Sequence, residues 1–355
     1  MRILVAMSGG VDSSVAAALL VKAGHEVIGA TFKLFPGDLP GSCCGLEGSD
    51  DARAVARKLG IRHYVMDFSK AFKETVVDDF IDNYLNGSTP NPCIRCNQFI
   101  KFGIFLTRAR VFEAQAVATG HYARVAPGPC GQAIYQAIPG AKDQSYFLFS
   151  IPREVLREIV FPLGTYTKDM VRLMAASLEL PVAQKEESQD ICFISAGKTY
   201  GDFIASQNGR KIKPGPIVDS LGNVLGRHRG LAHYTVGQRR GLGIHGEKPL
   251  YVKRLDPENN TLVVGNQSEI IKRDLAVDEV VLHEDIQPDT TLQAEVKIRY
   301  RHKAAPARVS ILENRQARVV FREPQWAVSP GQAAVFYRDG RVIGGGWITR
   351  QKGEG

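Results

Sequence analysis

The segment Ile3-Leu4-Val5-Ala6-Met7-Ser8-Gly9-Gly10-Val11-Asp12-Ser13-Ser14 sets the architecture of this chain. Its short apolar run ends at a glycine pair, which predicts a buried parallel strand followed by a tight loop. The alanine- and leucine-rich residues 15–21, with Gly24 behind them, predict a helix that begins near Ser13. Gly9 and Gly10 have no side chain, so the backbone can approach a ligand closely. Because a helix N-terminus offers free N–H groups and a dipole that favours anions, this loop is suited to hold phosphate.

This loop differs from the two commoner phosphate-binding loops. It has neither the Gly-Lys-Ser/Thr end of a Walker loop nor the third glycine of a dinucleotide fingerprint. Its order, Ser-Gly-Gly-Val-Asp-Ser over residues 8–13, resembles the PP-loop of the ATP pyrophosphatases, which cleave ATP between the α- and β-phosphates. A carboxylate beside phosphate needs a metal ion or a donor, so we expect Asp12 near Mg²⁺. An ordinary strand-to-helix turn is the alternative.

The composition is that of an ordinary globular protein with room for two or three domains, since 44% of the 355 residues are hydrophobic and 23% are charged. A net charge of +8 favours an anionic partner, with a solvated basic surface as the alternative. No apolar run has membrane-spanning length, and the first ends without a cleavage pattern, which predicts a cytoplasmic protein. We therefore expect reduced cysteines, and any disulfide would be a catalytic intermediate.

Strand and helix patterns alternate over roughly the first third of the chain. Strands are predicted at residues 26–34, 63–67 and 115–119, and helices at 52–59, capped by Ser49-Asp50-Asp51, and at 71–85. This alternation predicts a parallel, doubly wound α/β sheet with ligands at the carboxyl ends of its strands. Ser8, Phe32 and Gly120 lie at such ends, so we expect them to converge on one site.

From Leu275 onward the apolar pattern changes to a period of two. Strands are predicted at 292–298, 307–312, 317–321, 333–337 and 341–348, which indicates a small antiparallel β-barrel. Residues 297–303 combine positive charges with Tyr300, a combination that suits contact with an RNA backbone. A charged edge strand is the structural alternative. Arg239 and Arg240, in a glycine-flanked turn, could meet phosphate or belong to a solvated loop.

Three cysteines are candidates for chemistry. A helix can begin after Pro92, and a cysteine in its first turn beside Arg95 and Lys101 should have a lowered pKa and be a good nucleophile. Half of a zinc site is the alternative for Cys93 and Cys96, but the count of convincing ligands stops at three with Cys192. Cys192 lies in the apolar segment 191–194, which directly follows a polar run, so it is either a core cysteine or a partner thiol.

Seven motifs occur in one order: Ser-Gly-Gly-Val-Asp-Ser, Asn91-Pro92-x-x-x-Cys96-Asn97 with Lys101-Phe102, Gly120-His121-Tyr122-Ala123, Lys142-Asp143-Gln144-Ser145-Tyr146, Ser188-Gln189-Asp190-Ile191-Cys192-Phe193, Tyr234 to Leu242 and Arg299-Tyr300-Arg301. Together they resemble the bacterial tRNA-specific 2-thiouridylase family over essentially the whole chain. The resemblance implies a PP-loop ATP pyrophosphatase domain over 1–205, a small central tRNA-binding domain over 206–274 and a C-terminal β-barrel over 275–355.

The resemblance also assigns individual residues. The positions that match ATP-binding ones are Ala6, Met7, Ser8, Gly9, Gly10, Val11, Asp12, Ser13, Phe32 and Gly120. Cys96 matches the nucleophile and Cys192 the persulfide cysteine, and the two are expected to form a catalytic disulfide. Asn91, Pro92 and Cys93 match the segment that meets the target base, although many members have an aspartate in place of Cys93. The positions that match tRNA contacts are His121, Lys142, Asp143, Gln144, Arg299, Tyr300 and Gln332.

The reaction implied is 2-thiolation of the wobble uridine at position 34 of tRNA. ATP with Mg²⁺ would adenylate the C2 oxygen, and persulfide sulfur would replace it. Implied partners are the lysine, glutamate and glutamine tRNAs and a sulfur donor, either a relay protein or a cysteine desulfurase, with one monomer acting on each tRNA. Three alternatives stay open: an iron–sulfur cluster on Cys93, Cys96 and Cys192, another PP-loop amidotransferase or synthetase, and a tRNA-binding module without catalysis.

Overall fold

The computed structural model describes residues 1–35, 46–138, 140–186, 191–194, 197–207, 212–244 and 248–350. Cys43, Cys44 and the motif residues Ser188-Gln189-Asp190 lie outside these ranges. The strands form three sheets, one parallel and two mainly antiparallel. No helix within the described ranges has the length and apolarity needed to cross a membrane.

The first sheet carries the predicted alternation. The strands of the first 160 residues are β1 (Arg2–Ala6), β2 (Glu26–Lys33), β3 (Arg62–Asp67), β4 (Ala116–Ala118), β5 (Ala123–Gly128), β6 (Gly131–Gln136) and β7 (Ile159–Val160). Five of them form a parallel sheet in the order β3-β2-β1-β4-β7. The central strand β1 is apolar because both of its faces are covered, and Ile3, Leu4 and Val5 are fully buried.

Eight α-helices lie within the described ranges, and the first, second and sixth contact this sheet directly. The eight are α1 (Val11–Lys22), α2 (Leu46–Leu59), α3 (Ser69–Phe72), α4 (Asp78–Leu85), α5 (Pro92–Arg95), α6 (Phe105–Val111), α7 (Lys168–Ser177) and α8 (Tyr200–Ala205). Two π-helical stretches, Lys73–Val77 and Cys96–Ile104, join α3 to α4 and α5 to α6. Short 3-10 turns span Gly140–Lys142, Ser145–Leu148, Arg153–Glu158, Leu231–His233 and Gln267–Ile270.

Two predicted helix starts differ from the structure. The first helix begins at Val11 rather than near Ser13, because Gly10 already has the extended backbone of an N-cap. The predicted cap at Ser49-Asp50-Asp51 is wrong, since α2 begins at Leu46 and these polar residues lie inside it. Helix α1 packs against α2 and α7, so its small residues Ala16, Ala17 and Ala18 are buried.

A small central sheet follows, with strands β8 (Gly215–Val218), β9 (Val224–His228), β10 (Tyr251–Asp256) and β11 (Thr261–Gly265). Its order is β10-β11-β8-β9, and β8 and β11 are its one parallel pair among the described strands. Ile217, Val252, Leu262 and Val264 are fully buried and form its core. The sequence pattern did not reveal these short strands.

The C-terminal strands form the predicted barrel. They are β12 (Ile271–Leu282), β13 (Thr291–Lys297), β14 (Ala305–Leu312), β15 (Gln316–Trp326), β16 (Ala333–Arg338) and β17 (Arg341–Ile348). The order is β12-β15-β14-β13-β16-β17, and pairing of β17 with β12 closes the barrel. The edge-strand alternative is wrong, because β13 pairs with both β14 and β16 and ends at Lys297. Strand β12 was missed because its register shifts interrupt the alternation.

The first domain and the barrel are joined along an extensive contact. The hairpin β5–β6 extends the barrel sheet through the pair Arg341 and Tyr135. Tyr146 and Phe149 of the first domain belong to the same buried cluster as Val335 and Tyr337 of the barrel. These two parts of the chain therefore share a hydrophobic core.

Candidate active site

The loop after β1 is held by its own serines. The Ser8 N–H donates to Ser13 Oγ over 3.2 Å, and the Ser13 hydroxyl donates to the Gly10 carbonyl over 3.2 Å. Gly9 has φ +71°, and a Cβ atom there would lie 2.2 Å from the Gly48 carbonyl oxygen on α2. Only glycine satisfies both requirements, so this position fixes the loop against α2.

The end of β4 closes on the loop from the other side. A Cβ atom on Gly120 would lie 2.7 Å from the Ser13 nitrogen and 2.8 Å from the Asp12 carbonyl carbon. The missing side chain lets the strand end touch the start of α1. The predicted convergence of Ser8, Phe32 and Gly120 is found, because all three line one cavity.

Asp12 has protein donors rather than a recognisable set of metal ligands. Its Oδ1 atom accepts hydrogen bonds from the Tyr122 hydroxyl and the Lys168 ammonium, each over 2.7 Å. Within the described part of the chain, no three His, Cys, Asp or Glu side chains are arranged to hold a metal ion. A place for Mg²⁺ near Asp12 stays a prediction, and the ion would depend mainly on ATP phosphate oxygens.

Sequence reasoning missed Lys168. It is the first residue of α7, a position where the helix dipole disfavours a cation. That mismatch is the signal that could have pointed to a nearby anionic group.

The cavity beside the loop has a volume of about 320 Å³. It brings together predicted residues from six separate parts of the chain. Those that line it are Ala6, Met7, Ser8, Asp12, Ser13, Phe32, Pro92, Cys93, Cys96, Gly120, His121, Gln144 and Cys192. Those that do not are Gly9, Gly10, Val11, Asn91, Lys142, Asp143, Arg299, Tyr300 and Gln332.

The cysteines reach the cavity from two segments. Cys93 is exposed on α5, and Cys96 is half-buried at the start of the π-helical stretch. The next residue, Asn97, is buried and donates to the Phe147 carbonyl over 2.9 Å, which fixes the helix behind the thiol. Cys192 is half-buried at the cavity wall, whereas its neighbour Phe193 is fully buried. This arrangement makes Cys192 a cavity thiol rather than a core cysteine.

Arg95 does not stand where we expected it. Its guanidinium pairs with Glu279 of the barrel over 2.9 Å and with Asp79 over 3.5 Å, and it does not line the cavity. The expectation that it lowers the pKa of a neighbouring cysteine therefore loses its support. Lys101 does line the cavity, as Cys96 does.

His121 lines the inner wall of the cavity. Its Nδ1 atom lies 2.6 Å from the Thr119 hydroxyl, and its ring contacts Phe102 and Phe161. Burial, with a smaller contribution from the Lys101 charge, holds the pKa of this imidazole well below its usual value. The ring is therefore neutral at physiological pH.

The other residues matched to tRNA contacts hold parts of the protein together. Asp143 is buried and accepts from the Ser145 hydroxyl over 2.8 Å, and Gln144 accepts from the Tyr122 N–H over 2.9 Å. Lys142 is half-buried in a 3-10 turn. Their role in binding tRNA stays a prediction.

Three of these residues lie on the barrel side. The Arg299 guanidinium donates to the Ser329 hydroxyl over 2.9 Å and to the Ala327 carbonyl, and its burial lowers its pKa. The Tyr300 ring lies 4.4 Å from that of Phe147, and Gln332 donates to the Thr89 carbonyl over 2.8 Å. Contact of Arg299, Tyr300 and Gln332 with tRNA also stays a prediction.

Comparison with known proteins gives matches over nearly the whole chain. Three family models match in succession: "tRNA methyl transferase HUP domain" at residues 1–196, "tRNA methyl transferase PRC-barrel domain" at 201–266 and "Aminomethyltransferase beta-barrel domain" at 272–348. They follow the order of the three sheets, so the predicted three-part architecture is confirmed. The boundaries that we set at 205 and 274 remain predictions.

Curated relatives carry one name. The "tRNA-specific 2-thiouridylase MnmA" of Acetivibrio thermocellus is 45% identical over 98% of this chain and 99% of its own length. That of Geobacter metallireducens is 46% identical over 100% of this chain and 98% of its own. A solved structure of the U34-tRNA thiolase NcsA from Methanococcus maripaludis is 20% identical, with a TM-score of 0.37 over 54% of this chain and 60% of that one, values too low to carry an argument.

Proposed function

Because this chain belongs to the tRNA-specific 2-thiouridylase family, we propose that it is a tRNA-uridine 2-sulfurtransferase that thiolates uridine 34 at the expense of ATP. The observation that carries the proposal is the single cavity into which the phosphate loop, Cys96 and Cys192 all open. An enzyme of this kind must bring a nucleotide, a base and a sulfur atom together. We expect it to act in the cytoplasm as a monomer.

The first step is activation of the base. The C2 oxygen of uracil attacks the α-phosphate of ATP, so an O–P bond forms and pyrophosphate leaves. The loop N–H groups and the N-terminus of α1 would hold the phosphates, while Lys168 neutralises the carboxylate of Asp12 beside them. Mg²⁺ would enter with ATP and offset part of the phosphate charge. Phe32, at the end of β2, would pack against the adenine.

The second step transfers sulfur. The terminal sulfur of a Cys192 persulfide attacks C2, and AMP leaves with the former carbonyl oxygen. The Cys96 thiolate then attacks the Cys192 sulfur, which breaks the sulfur–sulfur bond and frees the thiocarbonyl. Cys96 and Cys192 end as a disulfide, and a thiol reductant restores them with two electrons. A relay protein or a cysteine desulfurase would reload Cys192.

The target base must leave the anticodon stack before either step. Flipping a base costs a few kcal/mol, and least in a single-stranded loop. Asn91, Pro92 and Cys93 would meet the flipped base, and the other tRNA-matching residues would hold the rest of the tRNA. The lysine, glutamate and glutamine tRNAs are the proposed substrates.

The test is single-turnover thiolation of unmodified tRNA under strict anaerobiosis with ATP and a persulfide donor, a cysteine desulfurase supplied with cysteine, which loads Cys192. We expect Cys96→Ser and Cys192→Ser to abolish thiouridine formation and Cys93→Ser to retain it. Pyrophosphate release that depends on tRNA would support adenylation. Persistent thiolation in the Cys96→Ser/Cys192→Ser double variant would refute the two-cysteine mechanism.

A second candidate keeps thiolation but assigns Cys93, Cys96 and Cys192 to an iron–sulfur cluster. The observation in its favour is that all three line the same cavity. Against it, the described residues hold no group of three side chains arranged for a metal ion, so we derive no step through a cluster. Iron and sulfide in anaerobically purified protein, together with loss of activity in all three single variants, would favour this candidate.

A further inference from the structure

Arg95 immediately precedes Cys96 and connects the catalytic segment to the barrel. Its Nη1 atom lies 2.9 Å and its Nη2 atom 3.4 Å from the two carboxylate oxygens of Glu279. Its guanidinium centre lies 4.3 Å from the ring centroid of Trp347. The side chain is only 12% exposed, although it carries a full charge. A bidentate ion pair combined with stacking on an indole fixes the orientation of the Arg95 side chain. A lysine, with a single ammonium group, could not reproduce this.

The barrel presents these partners through a local distortion. Strand β12 shifts its register against β17 between Asp278 and Val281, and Glu279 has φ +50° at that point. A left-handed backbone is unfavourable for glutamate and persists only where surrounding contacts maintain it. Asp278 pairs with Trp347 across the strands, which brings the indole beside Glu279. The bulge therefore directs a carboxylate and an aromatic ring at Arg95.

The barrel contacts the first turn of the helical stretch that carries Cys96. Helix α5 is that first turn, and it continues without a break through Cys96–Ile104 into α6. The barrel also holds the residues that lead into α5. The Thr89 N–H donates to the Pro330 carbonyl over 2.7 Å, and Gln332 donates to the Thr89 carbonyl. Thr89 and Arg95 thus fix both ends of the stretch that contains Asn91, Pro92 and Cys93.

We propose that Arg95 is a positioning residue that transmits the placement of the barrel to the Cys96 thiol. The proposal rests on the proposed thiolation activity. In this view the barrel does more than bind tRNA. When the barrel is packed against the first domain, its bulge at Glu279 determines where the Cys96 thiol meets the flipped base. Removing the guanidinium would release the first turn of this helical stretch from Glu279 of the barrel, and would leave Asp79 and Glu279 facing each other without the cation between them.

The experiment compares wild type with Arg95→Met, Glu279→Gln and the double variant in anaerobic single-turnover thiolation. We expect Arg95→Met to slow thiolation about tenfold at saturating tRNA, while the tRNA concentration for half-maximal rate changes by less than about twofold. Glu279→Gln should slow it less, and the double variant should be no slower than Arg95→Met because both changes break one connection. Arg108→Met, an exposed arginine on α6, is the matched control.

A second readout follows the thiol itself. Trypsin cleaves after Arg95, so in wild type and Glu279→Gln the Cys96 peptide separates from that of Cys93 and its alkylation can be timed by mass spectrometry. We expect the alkylation rate of Cys96 to change in Glu279→Gln and not in Arg108→Met. This variant changes an exposed barrel residue, so it keeps the test valid if Arg95→Met does not fold.

The outcomes separate the two proposals. If wild type does not thiolate tRNA, the proposed function fails. If wild type thiolates and Arg95→Met or Glu279→Gln leaves both the rate and Cys96 alkylation unchanged, the positioning role alone is wrong. Rate losses that multiply in the double variant would also overturn it, because Arg95 would then act independently of Glu279.

Discussion

At the scale of single residues, the site depends on close approaches that only certain side chains allow. The sequence predicted the phosphate loop because the order Ser-Gly-Gly-Val-Asp-Ser over residues 8–13 is typical of a PP-loop. It did not reveal that Asp12 is the anionic group with which Lys168, 156 positions later, pairs, because no local pattern encodes a contact of that range. Sequence analysis placed Arg95 beside the cysteines and missed its pairing with Glu279 for the same reason, because Glu279 lies in another domain.

Gly120→Ala tests the closest of these approaches. The added Cβ would meet the Ser13 nitrogen and the Asp12 backbone below 3.0 Å, so the loop must move. We expect ATP affinity, measured by calorimetry, to fall by about tenfold or more. Gly140→Ala is the control, because nothing lies within 4 Å of its added Cβ. Unchanged ATP binding in Gly120→Ala would mean that the strand end does not shape the nucleotide site.

Lys168→Met tests the counter-charge. Two donors, the Tyr122 hydroxyl and the Lys168 ammonium, bind Asp12 Oδ1 in the structure. Without the ammonium, the Asp12 carboxylate would face the ATP phosphates with the Tyr122 hydroxyl as the remaining one of these two donors. Like charges then repel, and we expect weaker ATP binding that Lys168→Arg largely restores. A Lys168→Met variant that binds ATP as tightly as wild type would remove Lys168 from the site.

His121 makes the stability of the fold depend on pH. Its pKa in the folded state lies well below the usual 6.5, so between these two values the unfolded chain binds the proton and the folded chain does not. Stability therefore falls as pH falls below about 6.5, by at most about 1.4 kcal/mol per pH unit for one such group. We expect His121→Gln to reduce this slope in urea unfolding between pH 7.5 and 5.5. An unchanged slope would show that His121 titrates normally.

At the scale of elements, periodicity predicted the regular parts well. Five of the six barrel strands were placed to within five residues at each end, because alternating burial is visible in the sequence. The two π-helical stretches were not, because an apolar helical pattern does not reveal a change from i+4 to i+5 bonding. One of them begins at Cys96, so the geometry of the thiol could not be derived from the pattern.

An aromatic cluster supports the second cysteine. The Phe193 ring lies 5.1 Å from Phe80, 5.3 Å from Phe203 and 5.8 Å from Phe72, which connects the cavity wall to α3, α4 and α8. We expect Phe193→Leu to loosen Cys192, so that thiouridine formation slows more than tRNA-dependent pyrophosphate release. Phe112→Leu, beside Tyr64 on β3, serves as control. Equal losses in both steps would indicate a general packing defect instead.

At the scale of the whole molecule, the domains are less independent than their succession in the sequence indicates. Both tryptophans, Trp326 and Trp347, belong to the barrel, yet Trp347 contacts Phe149 and Arg95 of the first domain. The family resemblance and the change of apolar period at Leu275 indicated three parts, but not that two of them share a core. That core combines residues about 190 positions apart, a separation that sequence patterns do not register.

This shared core predicts coupled unfolding. ATP binds the first domain in our proposal, so it should stabilise only what unfolds together with that domain. In a Trp326→Phe variant, where Trp347 is the one fluorescent indole, we expect ATP to raise the urea midpoint of the fluorescence transition. A midpoint that ATP does not move, while calorimetry shows ATP bound, would mean that the barrel unfolds independently.

The shared core also constrains how the chain is made. Tyr146 and Phe149 leave the ribosome long before Val335 and Tyr337 exist to cover them. At about 5–20 residues per second, the first domain would wait roughly 10–40 s with this surface exposed. A premature stop codon late in the gene would therefore do more than delete a barrel. It would leave the phosphate loop on a domain that cannot finish folding. We therefore expect truncated products to be degraded rather than to persist as enzymes that consume ATP without transferring sulfur.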